Sequence, residues 1–328
     1  MEILAMTHLD LHSSLVRGRQ AVEAYITECR EQLGEYTWDE EHATVRLIHA
    51  AHPVARYIPF TRNQEGGSPT YSGTGADWLW WWLSPTGECF GMLVQAKNLK
   101  RVGGRWDVDL DYGKRRQIAD LLSASDLLKV PAVYTLYCGD LAYRSDLTCG
   151  EGHTPDALDR CHRSAVCALP ALIASQLTTF TALDPPGQAA VEAYQYAIPL
   201  EDLADTSRGK PIVDDINRHH INGELLDFLT QPQGLPRDIA KKVFRMVSRM
   251  RSGQFALAAR EHQRVDGGAA IFGDLPTDRG HFGAPYFDHI LRGLRRQPPK
   301  YLAALANGED PPAWISGLVS GIVLFDAA

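Results

Sequence analysis

The sequence predicts an α/β fold built on a helix, strand, strand, strand, helix, strand run between residues 39 and 138, and three observations predict it. Short apolar runs at 54–60, 77–83, 90–96 and 131–138, each bounded by turn residues, read as strands buried within a sheet. Stretches with apolar residues at helical spacing, 39–51 and 112–128, stand among them. The 328 residues are 45% hydrophobic, which is enough for a large core. No apolar run reaches the roughly 18 residues of a membrane span.

In chain order, Leu11, Leu15, Ala21, Tyr25, Cys29 and Leu33 give residues 10–33 a helical stripe, with Gly34 as its C-cap. The helix over 39–51 carries Val45, Leu47, Ile48 and Ala51 on its apolar side, ends at His52-Pro53, and places Glu40 and Glu41 in its first turn. A strand over 54–60 leads into a polar, Gly-rich loop, 61–75, that holds Glu65. Two further strands follow, joined by the turn Ser84-Pro-Thr-Gly-Glu88. Closing that turn with Leu83 opposite Cys89 sets a register in which paired positions sum to 172. Residues 98–111 are a polar loop with Lys100, Arg101 and Arg105; 112–128 is a helix and 131–138 a strand. Beyond these, 158–177 and 213–229 read as helices, as does 237–259, and 194–199 and 315–325 as strands, the last returning to an edge of the sheet. The break at Thr206-Ser-Arg-Gly-Lys-Pro divides a unit of residues 1–205 from a mainly helical, partly basic region, 206–328.

The predicted register places chemistry at one end of the central hairpin. Asp77 falls opposite Gln95, and period-two alternation puts Lys97 on the same face of its strand; a two-residue slip would set Asp77 opposite Lys97 instead. A carboxylate, an amide and an ammonium among apolar strands each need a hydrogen bond, water or a metal. For a lone Asp or Lys the bland reading is a strand end that reaches solvent, but the joint pattern argues for a site.

Gly-Ala-Asp-Trp (75–78) and Val-Gln-Ala-Lys (94–97) resemble the motif of the PD-(D/E)XK nuclease superfamily, in the Gln-x-Lys variant of Mrr-type restriction endonucleases. The resemblance covers about residues 36–140. It implies a restriction-endonuclease-like αβββαβ core with a mixed sheet, further helices in the C-terminal half, and a metal-dependent nuclease, DNA first, of restriction or anti-phage defence type. The alternative is a catalytically weak nuclease-like module that binds nucleic acid or a partner protein. The implied cofactor is Mg²⁺ or Mn²⁺, held by Asp77, Gln95 and a third carboxylate: Glu41 first, Glu65 second, Glu40 third. Gln95 replaces the usual acid, so the ion would face one less negative charge. Lys97 would orient and deprotonate the attacking water or stabilise the transition state, and Gln117 would be auxiliary. Lys100, Arg101, Arg105, Lys114, Arg115 and Arg116 would line the nucleic-acid route, and a homodimer is a further expectation.

The net charge of −7 argues against promiscuous polyanion binding, yet residues 237–300 hold thirteen Lys or Arg against six Asp or Glu. That excess suits a phosphate-gripping surface, or a solvated helix face. The N-terminus lacks a secretory pattern and the six cysteines are irregularly spaced, so a cytoplasmic chain with reduced thiols is expected. Cys138, Cys149, His153, Cys161, His162 and Cys167 offer four ligands for zinc, but without C-x2-C spacing buried or loop thiols are the default. Trp78, Trp80, Trp81 and Trp82 read as core rather than as stacking platforms. Asp214, Asp215, His219 and His220 lack a third ligand element and read as surface.

Overall fold

A computed structural model describes residues 8–34, 38–60, 75–102, 104–110, 112–113, 116–139, 165–180, 188–206, 221–250, 270–272, 275–276 and 286–326. The chain opens with helices α1 (His8–Leu33) and α2 (Glu40–Ala51), then strands β1 (Ala55–Pro59), β2 (Trp78–Leu83) and β3 (Cys89–Asn98). A small hairpin follows, β4 (Lys100–Val102) with β5 (Arg105–Asp107), in the segment expected to be loop. Helix α3 (Arg116–Leu128) and strand β6 (Ala132–Tyr137) come next. The fold is α/β, and the order from α2 to β6 is the one expected from periodicity, with the hairpin added.

The second half departs further. Residues 166–170, expected to be helical, form strand β7 (Val166–Pro170), and only then does helix α4 (Ala171–Phe180) begin. Every residue of β7 is buried, so the run carries no alternation to tell it from a helix. Helix α5 (Gln188–Tyr196) covers the first half of 194–199, expected to be extended, leaving the short strand β8 (Ile198–Pro199), and a 3-10 helix (Leu200–Leu203) follows. Helices α6 (Gly223–Thr230), α7 (Arg237–Met250) and α8 (Tyr286–Leu291) precede strand β9 (Leu294–Arg295). Helices α9 (Lys300–Ala306) and α10 (Ala313–Ser316) then lead to strand β10 (Gly321–Asp326).

Among the described residues one mixed sheet holds eight strands in the order β1-β10-β2-β3-β6-β7-β8, with β9 beside β3. The last strand is not at an edge. It lies between β1, antiparallel, and β2, parallel, and Ile322, Val323, Leu324 and Phe325 are buried on both faces. The region after residue 206 therefore supplies two strands to the sheet, β9 and β10, in addition to its helices.

The central hairpin has the register the turn dictates, Leu83 opposite Cys89 and Trp78 opposite Val94. Trp78, Trp80, Trp81 and Trp82 are buried in the core; Trp82 stacks on Phe325 at 4.1 Å between centroids and Trp80 meets the same ring edge-on. Gly91 faces Trp81 across the pair, and a Cβ there would lie 2.7 Å from the indole, so the glycine makes room for the larger ring. The four indole N–H groups find no acceptor among the described residues. Each such group costs about 1–3 kcal/mol, whereas burying 150–250 Å² of aromatic surface returns roughly 4–6 kcal/mol. Burial wins.

Five of the basic residues of 237–300 are turned inward. Arg237 grips Glu88 through Nε and Nη2 at 2.8 and 2.6 Å, on the hairpin turn at the opposite end from Asp77. Lys241 is fully buried against Gln231 O, and Lys242 donates to the carbonyls of Asp202 and Asp205. Arg295 is buried over Trp81, and Arg292 pairs with Asp126. These five cations serve packing, while Arg249, Arg296 and Lys300 are exposed and Arg251, Arg260, Arg264 and Arg279 lie outside the described residues. No helix among the described residues is long and apolar enough to cross a membrane.

Candidate active site

The N-terminus of α2 and the open end of the β2–β3 hairpin build one wall each of a cavity of about 260 Å³, lined by Asp39, Glu40, Glu41, Asp77, Trp78 and Gln95. Asp39 is the N-cap of α2, its Oδ1 accepting from His42 N at 2.8 Å, and this cap holds Glu40 and Glu41 on the first turn. Burial opposes the charge on Asp39, but the His42 backbone and ring hold its carboxyl below the usual range.

Asp77 sits opposite Gln95, without the slip. Its Oδ2 accepts from Gln95 Nε2 at 2.7 Å and from Ala96 N at 2.9 Å. Its backbone is pinned on both sides, N–H to Val94 O and O from Ser320 N, so the segment leading into β10 helps to fix it. Gln95 Nε2 also donates to Ala96 O, which directs Oε1 away from both partners; among the described residues Oε1 accepts no hydrogen bond. A neutral oxygen is thus left to the cavity.

Lys97 is the most telling residue. It is 8% exposed, and among the described residues its amine makes no hydrogen bond and no ion pair. Burial pushes its pKa down, against the pull of Asp109, Glu40 and Asp77, while Lys100 acts with burial. The Tyr112 ring centroid lies 5.3 Å from Nζ. Lys97 Nζ is not among the sealed polar atoms, so solvent reaches it, and an amine so largely buried, near carboxylates but bonded to none, is a candidate for a chemical task.

The structure thus brings Asp77, Gln95, Glu41 and Glu40 to one cavity, with Lys97 in electrostatic reach of Asp77 and Glu40. Glu40 is half-buried and couples to Lys97; Glu41, on the same turn, is exposed. Gln117 is half-buried, its Oε1 has no partner among the described residues, and it packs on Gly75, two residues before Asp77. Lys100 and Arg101 line a second cleft that shares Asp39 and Glu40 with the first, while Arg105 is exposed and lines neither. Glu65, Lys114 and Arg115 lie outside the described residues, as do Cys149, His153, Cys161, His162, Asp214, Asp215, His219 and His220. Cys138 and Cys167 are buried thiols, and neither joins a group of metal-ligating side chains among the described residues.

Sequence reasoning missed Asp109 and Tyr112, which face Lys97, although the run Asp107-Val-Asp-Leu-Asp111 was a signal of carboxylates beside the site. It also passed over Asn98, Trp38 and Trp106, which line the second cleft.

The donor set fits a hard divalent ion: Asp77, Glu40 and Glu41 supply carboxylates and Gln95 an amide oxygen. Asp77, Glu40 and Glu41 do not close to within 4.8 Å of one another as a group, so any ion there would be held by only one or two of them and by water. His12, Asp202 and Asp205 do gather within 4.8 Å, but the Lys242 amine lies on the carbonyls of both aspartates, which disfavours a second cation.

Gly75 has φ +66°, and a Cβ there would lie 2.5 Å from Gln117 O. Gly75→Ala is therefore expected to lower stability by at least about 1–2 kcal/mol from backbone strain alone and to displace Asp77. Chemical denaturation of both chains checks this, and an unchanged midpoint would contradict it.

No curated protein and no solved structure matches the chain. A family profile matches residues 31–324, and it spans α2, the hairpin, Lys97 and most of β10. The chain belongs to that family, DUF6615, a family of unknown function.

Proposed function

We propose that the protein is a metal-dependent nuclease that hydrolyses phosphodiester bonds, with DNA the first substrate to test and a restriction or anti-phage defence role suggested by the motif resemblance. The observation that carries this reading is Lys97: a buried amine with no hydrogen-bond partner among the described residues, next to the Asp77–Gln95 pair and Glu40. The element order and the Asp, Gln-x-Lys placement support it. Fold analogy alone would not.

Asp77, Glu40 and Glu41, with Gln95 Oε1, would hold Mg²⁺ or Mn²⁺. When bound, such an ion polarises a phosphoryl oxygen and makes a coordinated water more acidic. The residues of the chain do the rest. Lys97, as the free amine that burial favours, takes the proton of the attacking water, and returns to the ammonium near Asp77 and Asp109. The carboxylates repel a phosphodiester unless their charge is neutralised, which makes hydrolysis dependent on the ion. Asp77→Ala is expected to lower hydrolysis of plasmid DNA or RNA, in Mg²⁺ or Mn²⁺, by on the order of a hundredfold to a thousandfold. Equal rates in the two chains would remove the assignment.

A second reading, a module that binds nucleic acid or a partner protein without cutting, is favoured by one observation. Asp77 Oδ2 is already engaged by two N–H donors and Gln95 brings no charge, which weakens metal affinity. Calorimetry decides between them: no heat with millimolar Mg²⁺ or Mn²⁺ supports the second reading.

A further inference from the structure

The second cleft, about 300 Å³, is lined by Arg30, Trp38, Asn98, Lys100, Arg101 and Trp106 together with the Asp39–Glu40 wall it shares with the acidic cavity. Its floor holds Asn98, which is 9% exposed and whose amide makes no hydrogen bond among the described residues. The polar atoms of this amide are open to the cleft rather than sealed, and they offer a ligand there a donor and an acceptor side by side. Two half-buried indoles stand around it. Trp38 precedes the α2 cap, and Trp106 faces Arg101 across the β4–β5 pair, with the guanidinium 5.6 Å from the ring centroid. Arg30 is anchored to Gly139 O, so its charge is fixed at the cleft.

Aromatic faces, an unsatisfied amide and cations at one recess match the three parts of a nucleotide: the π-face of the base, its hydrogen-bonding edge and its phosphate. In a duplex the faces are stacked and the pairing edges are taken. A recess at the small end of ligand pockets can accept only a base that has left the stack. We infer that this cleft seats an unpaired base, read by Asn98 and stacked on Trp38 or Trp106, so that the substrate at the neighbouring cavity is single-stranded nucleic acid. The inference rests on the reading of that cavity as a phosphodiesterase site. It assigns the β4–β5 hairpin the task of presenting Arg101 and Trp106 to the strand.

The test uses the full-length Asp77→Ala chain, in EDTA, with fluorescein-labelled single-stranded DNA, RNA of the same sequence, and the DNA duplex, read by anisotropy. Single strands are expected to bind at least about tenfold more tightly than the duplex, and Asn98→Ala or Trp106→Ala, added to that background, to remove about tenfold of the single-strand affinity. Trp106→Phe keeps a stacking surface and is expected to retain most of it, a rescue that loss of folding would not give. The DNA and RNA arms identify which strand is taken. Equal affinity for duplex and single strand, or single-strand affinity untouched by both alanine variants, would overturn the inference. Ion-dependent cutting of duplex with no preference for single strands overturns it while leaving the nuclease standing. Tight single-strand binding, with no cutting of any substrate by the parent chain, upholds the seat for an unpaired base and removes the nuclease.

Discussion

Lys97→Met is expected to lower the rate of hydrolysis by on the order of 10²–10⁴, the range that a positioned general base contributes, while leaving the fold at least as stable at neutral pH. Burial is the largest influence on this amine and lowers its pKa, so the rate of the parent chain rises with pH through that lowered value and levels off above it. The linkage to stability has the same origin. The unfolded chain keeps the lysine proton up to the ordinary value of 10.5, whereas the folded chain releases it earlier. Stability therefore rises with pH between the two values, and below the folded pKa the buried charge weighs in full against the fold. Methionine removes that burden. Lys97→Arg keeps a charge at every accessible pH and cannot act as a base, so it is not expected to restore the rate. Initial rates on a plasmid across pH, with thermal melts of the same chains, check each part. A Lys97→Met chain as fast as the parent, or a rate that falls as pH rises, would take the role of base away from Lys97.

Arg19→Ala is expected to destabilise the fold by roughly 1–3 kcal/mol, the cost of leaving the buried Glu201 carboxyl without its hydrogen-bond donor. Arg19 on α1 is buried and donates from Nε to Glu201 Oε1 at 2.6 Å; Nη1 reaches Glu23 at 3.0 Å. Glu201 is buried too, and its Oε2 has no partner among the described residues. Burial pushes the Glu201 carboxyl up to about 7, against the pull of Arg19. A folded pKa raised above the ordinary 4.5 means that this group's contribution to stability is complete below 4.5 and is lost as pH rises through about 7. Glu201→Gln mimics the protonated form. It should therefore be mild beside Arg19→Ala and should lack that fall with pH. Urea denaturation at pH 5 and pH 8 measures both, and an Arg19→Ala chain as stable as the parent would show that α1 is not held through this pair.

The hairpin was legible because its information is local. A five-residue turn closed by Leu83 opposite Cys89 sets a register with Asp77 against Gln95 and Lys97 on the same face, and the structure shows that register without the two-residue slip. The first turn of α2 was equally legible, since the apolar spacing over 39–51 puts Glu40 and Glu41 there; that Asp39 is its N-cap came from the structure. Which glutamate turns toward Lys97 was not. Adjacent helical residues point about 100° apart, and only the packing of α2 against the sheet decides between them. Strand β7 was misread for a related reason: buried on both faces, Val166–Pro170 shows neither period.

The amino-acid sequence by itself determined the α/β class, the order of elements from α2 to β6, and the polar triad of Asp77, Gln95 and Lys97, because each depends on residues close together in the chain. Tertiary structure alone decided that β10 lies inside the sheet, where Ser320 helps to pin Asp77, and that Arg237, Lys241, Lys242, Arg292 and Arg295 turn inward. It also decided that Asn98 and the two indoles meet at a cleft beside the acidic cavity. These arrangements come from contacts between residues tens to hundreds of positions apart, settled by which apolar surfaces can be covered at once and which charges can be paired once they are buried.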